Sequence, residues 1–287
     1  MNYKSMSVGD RAFHGAVIFI LLLFCVIIAY PLIYIVSCSI SDPVSVMKGD
    51  IFLLPKKLTL IGYQKVVTHP DIWLSYRNTI LYTGIGTFIS VIMTALGAFP
   101  LSRKNFYGRK FWTVFVTFTM FFGGGMIPMY LLMTNLHLID TFWVMVLPGA
   151  ISTWNLIIMR TFFQSNVPIE LQEAALIDGC NDLHILVKIV LPLSLPVIAV
   201  MTLFYGVAQW NAFFNALIYL RNREKYPLQL ILREILLQNT TPTDMADGGA
   251  GDQEIIGYSI RYALIIVATI PILCVYPFIQ KYFVKGM

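Results

Sequence analysis

The sequence has 287 residues, of which 57 % are hydrophobic and 12 % are charged, and its mean hydropathy is +0.73. Soluble domains carry about 25 % charged residues, so this composition excludes an ordinary soluble fold and indicates an integral membrane protein. The formal net charge of +5 comes from scattered basic residues and not from a basic run, which argues against a nucleic-acid partner.

Six stretches without Lys, Arg, Asp or Glu are long enough to cross about 30 Å of hydrocarbon as helices of about 20 residues. Helices are expected because each one satisfies its own backbone hydrogen bonds where water is absent. The sequence therefore predicts an all-α membrane protein with six transmembrane helices. The predicted spans are 12–41, 78–102, 111–139, 141–159, 189–220 and 262–280.

Loop charge predicts the orientation. The short loop at 103–110 carries four basic residues and the opposing short turn at 134–140 carries none, so the positive-inside bias places the former, and both termini, in the cytoplasm. Residues 1–11 are then a cytoplasmic N-terminus, and 12–287 form a single transmembrane domain. The segments 42–77 and 221–261 become external loops, although some of their basic residues oppose the bias: Lys56, Lys57, Arg221, Arg223 and Lys225.

Catalytic and metal chemistry are not indicated. The four histidines are dispersed and have no recognisable partner, which argues against an embedded enzyme. A polar loop tip holds Asp244, Asp247 and Asp252, but their spacing does not match a calcium loop. The three glycines at 123–125 lie within a predicted span and indicate close helix packing or a bend, since no P-loop pattern surrounds them.

Residues 165–190 interrupt the apolar chain between the fourth and fifth predicted spans. Ser165 or Asn166 can cap a short helix that begins near Val167, with Pro168 in its first turn. Gly179 is the natural left-handed residue at which that helix ends. The pattern predicts a helix, a glycine turn and a second helix.

The second short helix is predicted to begin with Asn181 or Asp182 as its cap. Its apolar positions recur at helical spacing, and Pro192 begins the entry into the fifth span. These apolar positions are Leu183, Leu186, Val187 and Val190.

The first short helix is predicted to carry Leu171, Ala174, Ala175 and Asp178 on one face. The paired alanines would let another surface approach the backbone, and Glu173 and Asp178 could bind basic groups or backbone donors. A connector that simply lies on the membrane surface would have a similar composition. The residues alone leave both interpretations open.

The pattern E-A-A-L-I-D-G-C-N-D-L-H-I-L-V-K-I-V-L-P resembles the signature loop of the permease subunits of bacterial ABC importers. In that family E-A-A is followed by a glycine four residues after the second alanine and by I-x-L-P ten residues further on. Cys180 and Leu186 depart from the family's usual alanine and aromatic residue but keep small or apolar character. The matching positions are Glu173, Ala174, Ala175, Asp178, Gly179, Ile189, Leu191 and Pro192.

The resemblance extends over nearly the whole chain. Residues 127–148, 209–220 and 226–230 look like the sugar-uptake branch, close to maltose-type permeases. The terminal Y-P-F-I-Q-K-Y-F-V-K-G-M resembles a subgroup that imports complex oligosaccharides, including uronate-containing ones derived from pectin and alginate.

The resemblance implies a type I importer permease in the bacterial cytoplasmic membrane. It implies pairing with a second homologous permease, two cytoplasmic ABC ATPases below them and an extracytoplasmic solute-binding protein. Residues 165–190 would be the coupling loop seated on an ATPase, with Glu173, Ala174, Ala175, Asp178 and Gly179 as its contact residues. No cofactor is expected in this chain, because ATP and Mg²⁺ would bind the ATPase.

Polar and aromatic residues within the predicted spans are candidates for a sugar pathway, because amides match hydroxyl groups and indoles pack on pyranose faces. Helix–helix contacts and membrane-interface anchoring explain the same residues equally well. The candidates are Asn155, Gln209, Trp210, Asn211 and Asn215.

The alternative function is an ion-coupled secondary sugar transporter. Such a carrier usually couples ions through acidic or basic residues inside the membrane, and the six predicted spans contain none. Sodium can also be bound by carbonyls and hydroxyls, so this alternative stays open on the residues alone.

Overall fold

The computed structural model describes residues 8–238 and 250–285. These residues fold into α-helices joined by turns, with no β-strand among them, so the predicted all-α class is confirmed. The helices before the candidate coupling loop are α1 (Val8–Ser39), α2 (Pro43–Met47), α3 (Ile61–Thr68), α4 (Pro70–Ser102), α5 (Arg109–Phe121), α6 (Met126–Asn135), α7 (Trp143–Val146) and α8 (Thr153–Asn166). The remaining helices are α9 (Ile169–Ile177), α10 (Asp182–Ile185), α11 (Leu191–Leu193), α12 (Leu195–Trp210), α13 (Phe214–Tyr219), α14 (Leu228–Gln238) and α15 (Ala250–Lys285).

Within these residues, three helices are long and apolar enough to cross a membrane: α1, α4 and the stretch Gly257–Val275 of α15. Two further spans are possible only as bent pairs. The axes of α5 and α6 meet at 111°, and the helical segment Asp182–Leu193 meets α12 at 86°. The fourth predicted span, 141–159, is divided between α7 and α8 and is not among these candidates.

The breaks have local causes that hydropathy does not report. Residues 122–125 are not helical, and Gly125 has φ +85°. Of the two interpretations of the three glycines, the bend is therefore confirmed. The second break lies at Ser194, directly before a helix with a proline in its first turn. Proline lacks the N–H that would continue the helical ladder, so the chain turns there without loss of a hydrogen bond.

The chain divides into two compact units. The first comprises residues 1–69 and 232–269. Side chains of α1 are exposed from Phe13 to Ile28, as expected of a helix whose solvent is lipid. At the end of α1, a small core of Cys38, Val46 and Ile51 packs with three tyrosines. Gly62 allows α3 to approach α15 closely, since a Cβ there would lie 2.7 Å from the carbonyl oxygen of Ser259.

The second unit comprises residues 70–231 and 270–287. Its central element is α4, which packs mainly on α12 and α8. Ala95 and Ala98 have small side chains that let the neighbouring helices approach, and both are buried in the largest core cluster. The hydroxyls of Thr94 and Tyr205 share a 2.6 Å hydrogen bond across α4 and α12, so these polar groups are satisfied within the core.

Candidate functional site

The predicted helix, glycine turn and helix are present between α8 and α12. The first helix, α9, ends at Ile177, and Gly179 follows with φ +79°. The amide of Gly179 donates to the carbonyl of Leu176 at 3.1 Å, and that of Cys180 to Ala175 at 2.9 Å. This pair of bonds is the Schellman pattern, in which a left-handed glycine satisfies the last carbonyls of a helix. The predicted role of Gly179 in the turn is confirmed.

The start of α9 differs from the prediction. Its N-cap is Pro168 and no side chain caps it, whereas Asn166 is the last residue of α8 and the Ser165 hydroxyl donates back to Thr161 at 3.0 Å. The helix α8 continues several residues past the predicted end of the fourth span. The prediction that Ser165 or Asn166 caps α9 was wrong, because both residues still belong to α8.

The second short helix begins as predicted. The Asn181 carboxamide oxygen accepts a hydrogen bond from the amide of His184 at 2.8 Å. From Leu186 to Val190 the chain forms a π-helix, which adds an extra residue to the turn and rotates the following side chains. Of the four predicted apolar positions, Leu186 and Val190 are buried, whereas Leu183 and Val187 are exposed and Ile185 is buried beside the first two.

The inner side of the loop belongs to the core of the second unit. Ala175 is 6 % exposed and lies in the same cluster as Phe99 of α4 and Phe163 of α8, and Leu186 and Val190 join it. The sequence predicted both alanines on one face of α9, and the structure shows that this prediction was wrong. Ala175 lets α9 pack closely on its own chain, and Ala174 is exposed.

The outer side of α9 presents a surface of mixed chemistry. Glu173, Ala174 and Asp178 are exposed, and Ile177 is 86 % exposed. In the part of the chain that the structure describes, the side chains of Glu173 and Asp178 make no hydrogen bond or ion pair. Exposed apolar groups that are surrounded by polar residues mark a surface for interaction with another protein or with the membrane.

Three side chains tie the loop 165–190 and α8 to the end of α4. The guanidinium of Arg103 pairs with Asp182 at 2.8 Å, and its carbon Cζ lies 5.1 Å from the centre of the Phe99 ring. Arg160 donates to the carbonyl of Leu101 at 3.0 Å, and Gln164 donates to Ser102 at 3.2 Å. Cationic and amide donors satisfy the last carbonyls of a helix and complement its negative end.

A cavity of about 710 Å³ lies beside this linkage. Its walls are the turn after α4, at 102–109, and residues 163–176, so basic Lys104 and Arg109 are near acidic Glu170 and Glu173. The sequence does not predict this linkage, because no local pattern reports a contact between residues about 60 or 80 positions apart. The four basic residues of 103–110 are the signal that the sequence offers, and they indicate both the orientation and a partner of opposite charge.

The pathway candidates are not brought together into one site. Asn155 is buried in α8, Gln209 packs beside Gly86 of α4, and Asn215 is half-buried in α13. Trp210, the last residue of α12, is 6 % exposed and its ring centre is 6.0 Å from that of Tyr76. Asn211 is exposed and donates to Val207 at 2.9 Å.

Trp210 lines a cavity of about 560 Å³ between α4, α12 and residues 271–275 of α15. The lining is mostly apolar. Two of its hydroxyls, those of Thr83 and Thr87, are buried and make no hydrogen bond to the described residues. An apolar cavity of this kind does not suit a hydrated oligosaccharide, so the sugar-pathway assignment stays a prediction.

A polar clamp holds the segment after α13, which the sequence predicted only as part of an external loop. On α4, Asn78 donates to the carbonyls of Glu224 and Tyr226 at 2.7 and 3.2 Å, and Tyr82 donates to Lys225 at 2.9 Å. The Thr79 hydroxyl accepts from the Leu228 amide at 2.8 Å. The segment is thereby fixed to the first half of α4.

Asp140 completes the clamp. Its carboxylate accepts the amides of Arg221 and Asn222, each at 3.1 Å, and pairs with Lys225 at 3.0 Å. Partial burial by itself raises the pKa of Asp140, but the two amides and the ammonium favour the charged form, and the net pKa lies below its usual value. Arg223 pairs with Asp71 at 2.8 Å, so both of these basic residues have acidic partners.

Among the described residues there is no group of three His, Cys, Asp or Glu that could hold a metal ion. Asp244 and Asp247, two of the three aspartates in the predicted loop tip, lie outside the described residues, and Asp252 lies in α15.

The comparisons with known proteins agree on one family. Residues 86–287 match the family described as binding-protein-dependent transport system inner membrane component. The chain is 42 % identical over 278 residues to the polygalacturonan/rhamnogalacturonan transport system permease protein YtcP of Bacillus subtilis (strain 168), and 96 % of each protein is covered.

Two solved structures have a similar fold. One is a bacterial ABC transporter involved in the import of the acidic polysaccharide alginate, with TM-score 0.86, 36 % identity and coverage of 97 % of this chain and 99 % of that one. The other is a bacterial alginate ABC transporter in complex with an alginate pentasaccharide-bound periplasmic protein. Its TM-score is 0.60 at 15 % identity over 95 % of this chain and 93 % of that one, a likeness of fold alone. The chain therefore belongs to the family of binding-protein-dependent transport system inner membrane components, the ABC importer permeases that its E-A-A motif indicates.

Proposed function

We propose that this chain is a permease subunit of an ATP-driven importer and that it forms, with a second permease, the membrane path for an oligosaccharide. The observation that carries the proposal is the loop between α8 and α12. Its inner side is packed into the core, while Glu173, Ala174 and Ile177 stand outside with no partner in the described chain. A loop that is packed into the core on one side and exposed on the other can transmit movement from a protein that binds its exposed side.

In this function the loop is the coupling helix of the permease, and it seats on one of two cytoplasmic ATPase subunits. Glu173 and Asp178 bind donors of the ATPase, and Ala174 lets the ATPase approach the α9 backbone. The core contacts of Ala175 then transmit movement to α4 and α8. ATP and Mg²⁺ bind the ATPase, and this chain acts as a membrane component without its own catalytic step.

The membrane arrangement follows from the same function. The bent pair α5 and α6 and the bent segment ending in α12 each count as one span, and α7 with α8 provides the fourth, which gives six. The chain lies in the bacterial inner membrane with both termini in the cytoplasm. A solute-binding protein outside the membrane delivers the sugar to the opposite face, where the segment 221–226 is clamped to α4.

The names of the relatives support an acidic oligosaccharide as the substrate. The 42 % identical relative is a permease for polygalacturonan or rhamnogalacturonan, and the 36 % identical structure imports alginate. All three of these polymers carry uronate carboxylates. We propose uronate-containing oligosaccharides as the substrate class of this chain.

Reconstitution tests this function. The chain is purified from its native membrane, the co-purifying proteins are identified, and the complex is placed in proteoliposomes with its binding protein. We expect an ATPase and a second permease to co-purify, and trigalacturonate uptake to require both ATP and the binding protein. Uptake by the chain alone, driven by a sodium or proton gradient, would establish the secondary carrier instead.

A further inference from the structure

Four of the five basic residues that oppose the positive-inside bias fall into two groups. Arg223 and Lys225 of the clamp pair with Asp71 and Asp140. Lys56 and Lys57 are exposed and make no ion pair with any residue that the structure describes. Their charges are not explained by the fold.

These two lysines and Lys48 line one cavity of about 570 Å³ in the first unit. Two aspartates line the same cavity, so the three lysines leave its lining with a formal charge of +1. An anion that binds among the ammonium groups lowers their remaining repulsion. A cavity of this size is within the range of small-molecule sites, about 300–1,000 Å³. The arrangement favours a ligand that carries negative charge.

Backbone hydrogen bonds hold the lysines in place. The amide of Asp42 donates to the carbonyl of Lys56 at 3.2 Å, and the amide of Lys56 donates to the Ser41 hydroxyl at 3.1 Å. The Thr59 amide donates to Ile40 at 3.0 Å. The segment that bears both lysines is thus paired with residues 40–42 on each side, and a ligand would meet a site that is already formed.

The rest of the lining distinguishes two kinds of anionic ligand. Asp42 and Asp50 lie in the same cavity as the lysines, together with the Ser45 side chain. Two carboxylates would repel an acidic protein surface. A uronate oligosaccharide has carboxylates for the lysines and also hydroxyls that donate to aspartate oxygens, so it matches both halves of the lining.

We propose that the cavity lined by Lys48, Lys56 and Lys57 is a subsite for uronate residues of the oligosaccharide on the outer side of the membrane. The subsite rests on the proposed function, since that function places residues 42–77 outside and supplies the substrate class. It concentrates acidic sugar at the permease through charge, and its strength falls with salt because the lysines are exposed.

The test measures trigalacturonate binding to the complete importer in detergent, without the binding protein, by titration calorimetry. The triple variant Lys48→Gln, Lys56→Gln, Lys57→Gln should bind at least about five-fold more weakly than the wild type. The matched triple change to Arg should keep the affinity. Lys65→Gln, an exposed lysine of α3 outside the cavity, is the control and should change nothing.

Unchanged binding in the triple Gln variant, or no binding in the wild type, overturns the subsite. So does a loss limited to affinity for the binding protein, since that result makes the lysines a protein contact. These outcomes are separate from failure of the proposed function. If the wild-type importer with ATP and the binding protein takes up no uronate oligosaccharide, the proposed function fails, whatever the titration gives.

Discussion

The two ends of α4 hold their neighbours in different ways. At its beginning, Asn78, Thr79 and Tyr82 bind the backbone of a segment about 150 positions away. At its end, the inner side of the loop 165–190 packs into the core, and the outer side of α9 is exposed. The 33 residues of α4 span about 50 Å, so one rigid helix joins a closed polar clamp to an open contact surface.

This difference separates residues that stabilise the chain from residues that serve another chain. A change in the clamp should lower stability first and transport only as a consequence. A change on the outer face of α9 should lower transport and leave stability intact. The neighbouring alanines 174 and 175 offer the sharpest test of that distinction, because one is exposed and the other is buried.

Ala174→Leu should give the largest effect on transport. The added side chain enters the surface where the ATPase is proposed to dock, and loss of a central interface contact commonly costs 2 kcal/mol or more, roughly a thirty-fold effect. The protein should unfold at the same temperature as the wild type. Sugar-stimulated ATP hydrolysis in proteoliposomes and thermal unfolding in detergent measure the two quantities.

Ala175→Leu is the control for Ala174→Leu, because it makes the same substitution at the neighbouring, buried position. It overfills a core position, which costs about 1–3 kcal/mol of folding free energy, so its unfolding temperature should fall. Full coupling in Ala174→Leu would contradict the docking surface. Equal loss of stability in both variants would mean that the outer face is not separate from the core.

The sequence predicted the local parts of this region and not their packing. Gly179 and Asn181 carry signals within a few residues of the turn and cap that they form, and both predictions are confirmed. The division between Ala174 and Ala175 depends on which side of α9 meets α4. The spacing of residues along α9 shows which side chains share a face, but it does not show which face packs against α4.

The clamp could not be predicted for a related reason. Asn78 and Glu224 are 146 positions apart, and neither belongs to a motif. The glycines at 123–125 indicated a bend only as one of two interpretations, and the break at Ser194 was hidden. Hydropathy averages composition over a window, whereas a bend depends on single backbone angles. Long-range polar contacts and bends are therefore the features that needed the structure.

Asp140→Ala should give the largest loss of stability at the clamp, about 1–2 kcal/mol. The two amides of Arg221 and Asn222 lose their acceptor, and Lys225 loses its partner. Because the carboxylate is partly exposed, water replaces some of these interactions, which limits the cost. Protection of the two amides against hydrogen exchange, corrected for intrinsic rates, reports the clamp directly.

The same carboxylate gives the clamp a pH dependence. The pKa of Asp140 is lowered in the folded protein, so its contribution is complete above the unfolded value of about 3.9 and is lost as pH falls through the lower folded value. Protection of the Arg221 and Asn222 amides should therefore decline below about pH 4. Asp140→Asn keeps an acceptor oxygen and should abolish the pH dependence. An unchanged pH profile in that variant would assign the effect to another group.

Gly179→Ala should have a smaller effect, at the open end of α4. The position has φ +79° and no atom within 4 Å of a Cβ built there, so the cost is conformational, about 1 kcal/mol. The strain tilts the second short helix relative to α9, and more ATP should be hydrolysed per sugar imported. Gly108→Ala is matched, with φ +71° and its nearest contact at an ordinary 3.5 Å. It should cost similar stability without changing the ratio of ATP to sugar.

The smallest expected effect concerns the ion pair that joins the end of α4 to the coupling loop. Arg103 is 16 % exposed and Asp182 is 75 % exposed, so water screens the pair and its contribution is at most about 1 kcal/mol. If the pair transmits motion, Arg103→Asp and Asp182→Arg should each lower uptake per ATP a few-fold, by roughly two- to five-fold. The double exchange should restore part of that loss, because it rebuilds the attraction.

A purely structural pair predicts another pattern. Each single variant would then lower the unfolding temperature and leave the ratio of sugar to ATP unchanged, since the remaining molecules would couple normally. Arg160 and Gln164 still bind the carbonyls of Leu101 and Ser102 in these variants, so α4 stays attached to α8. Uptake per ATP in the double exchange thus reports whether α4 receives movement through the coupling loop or only through its packing on α8.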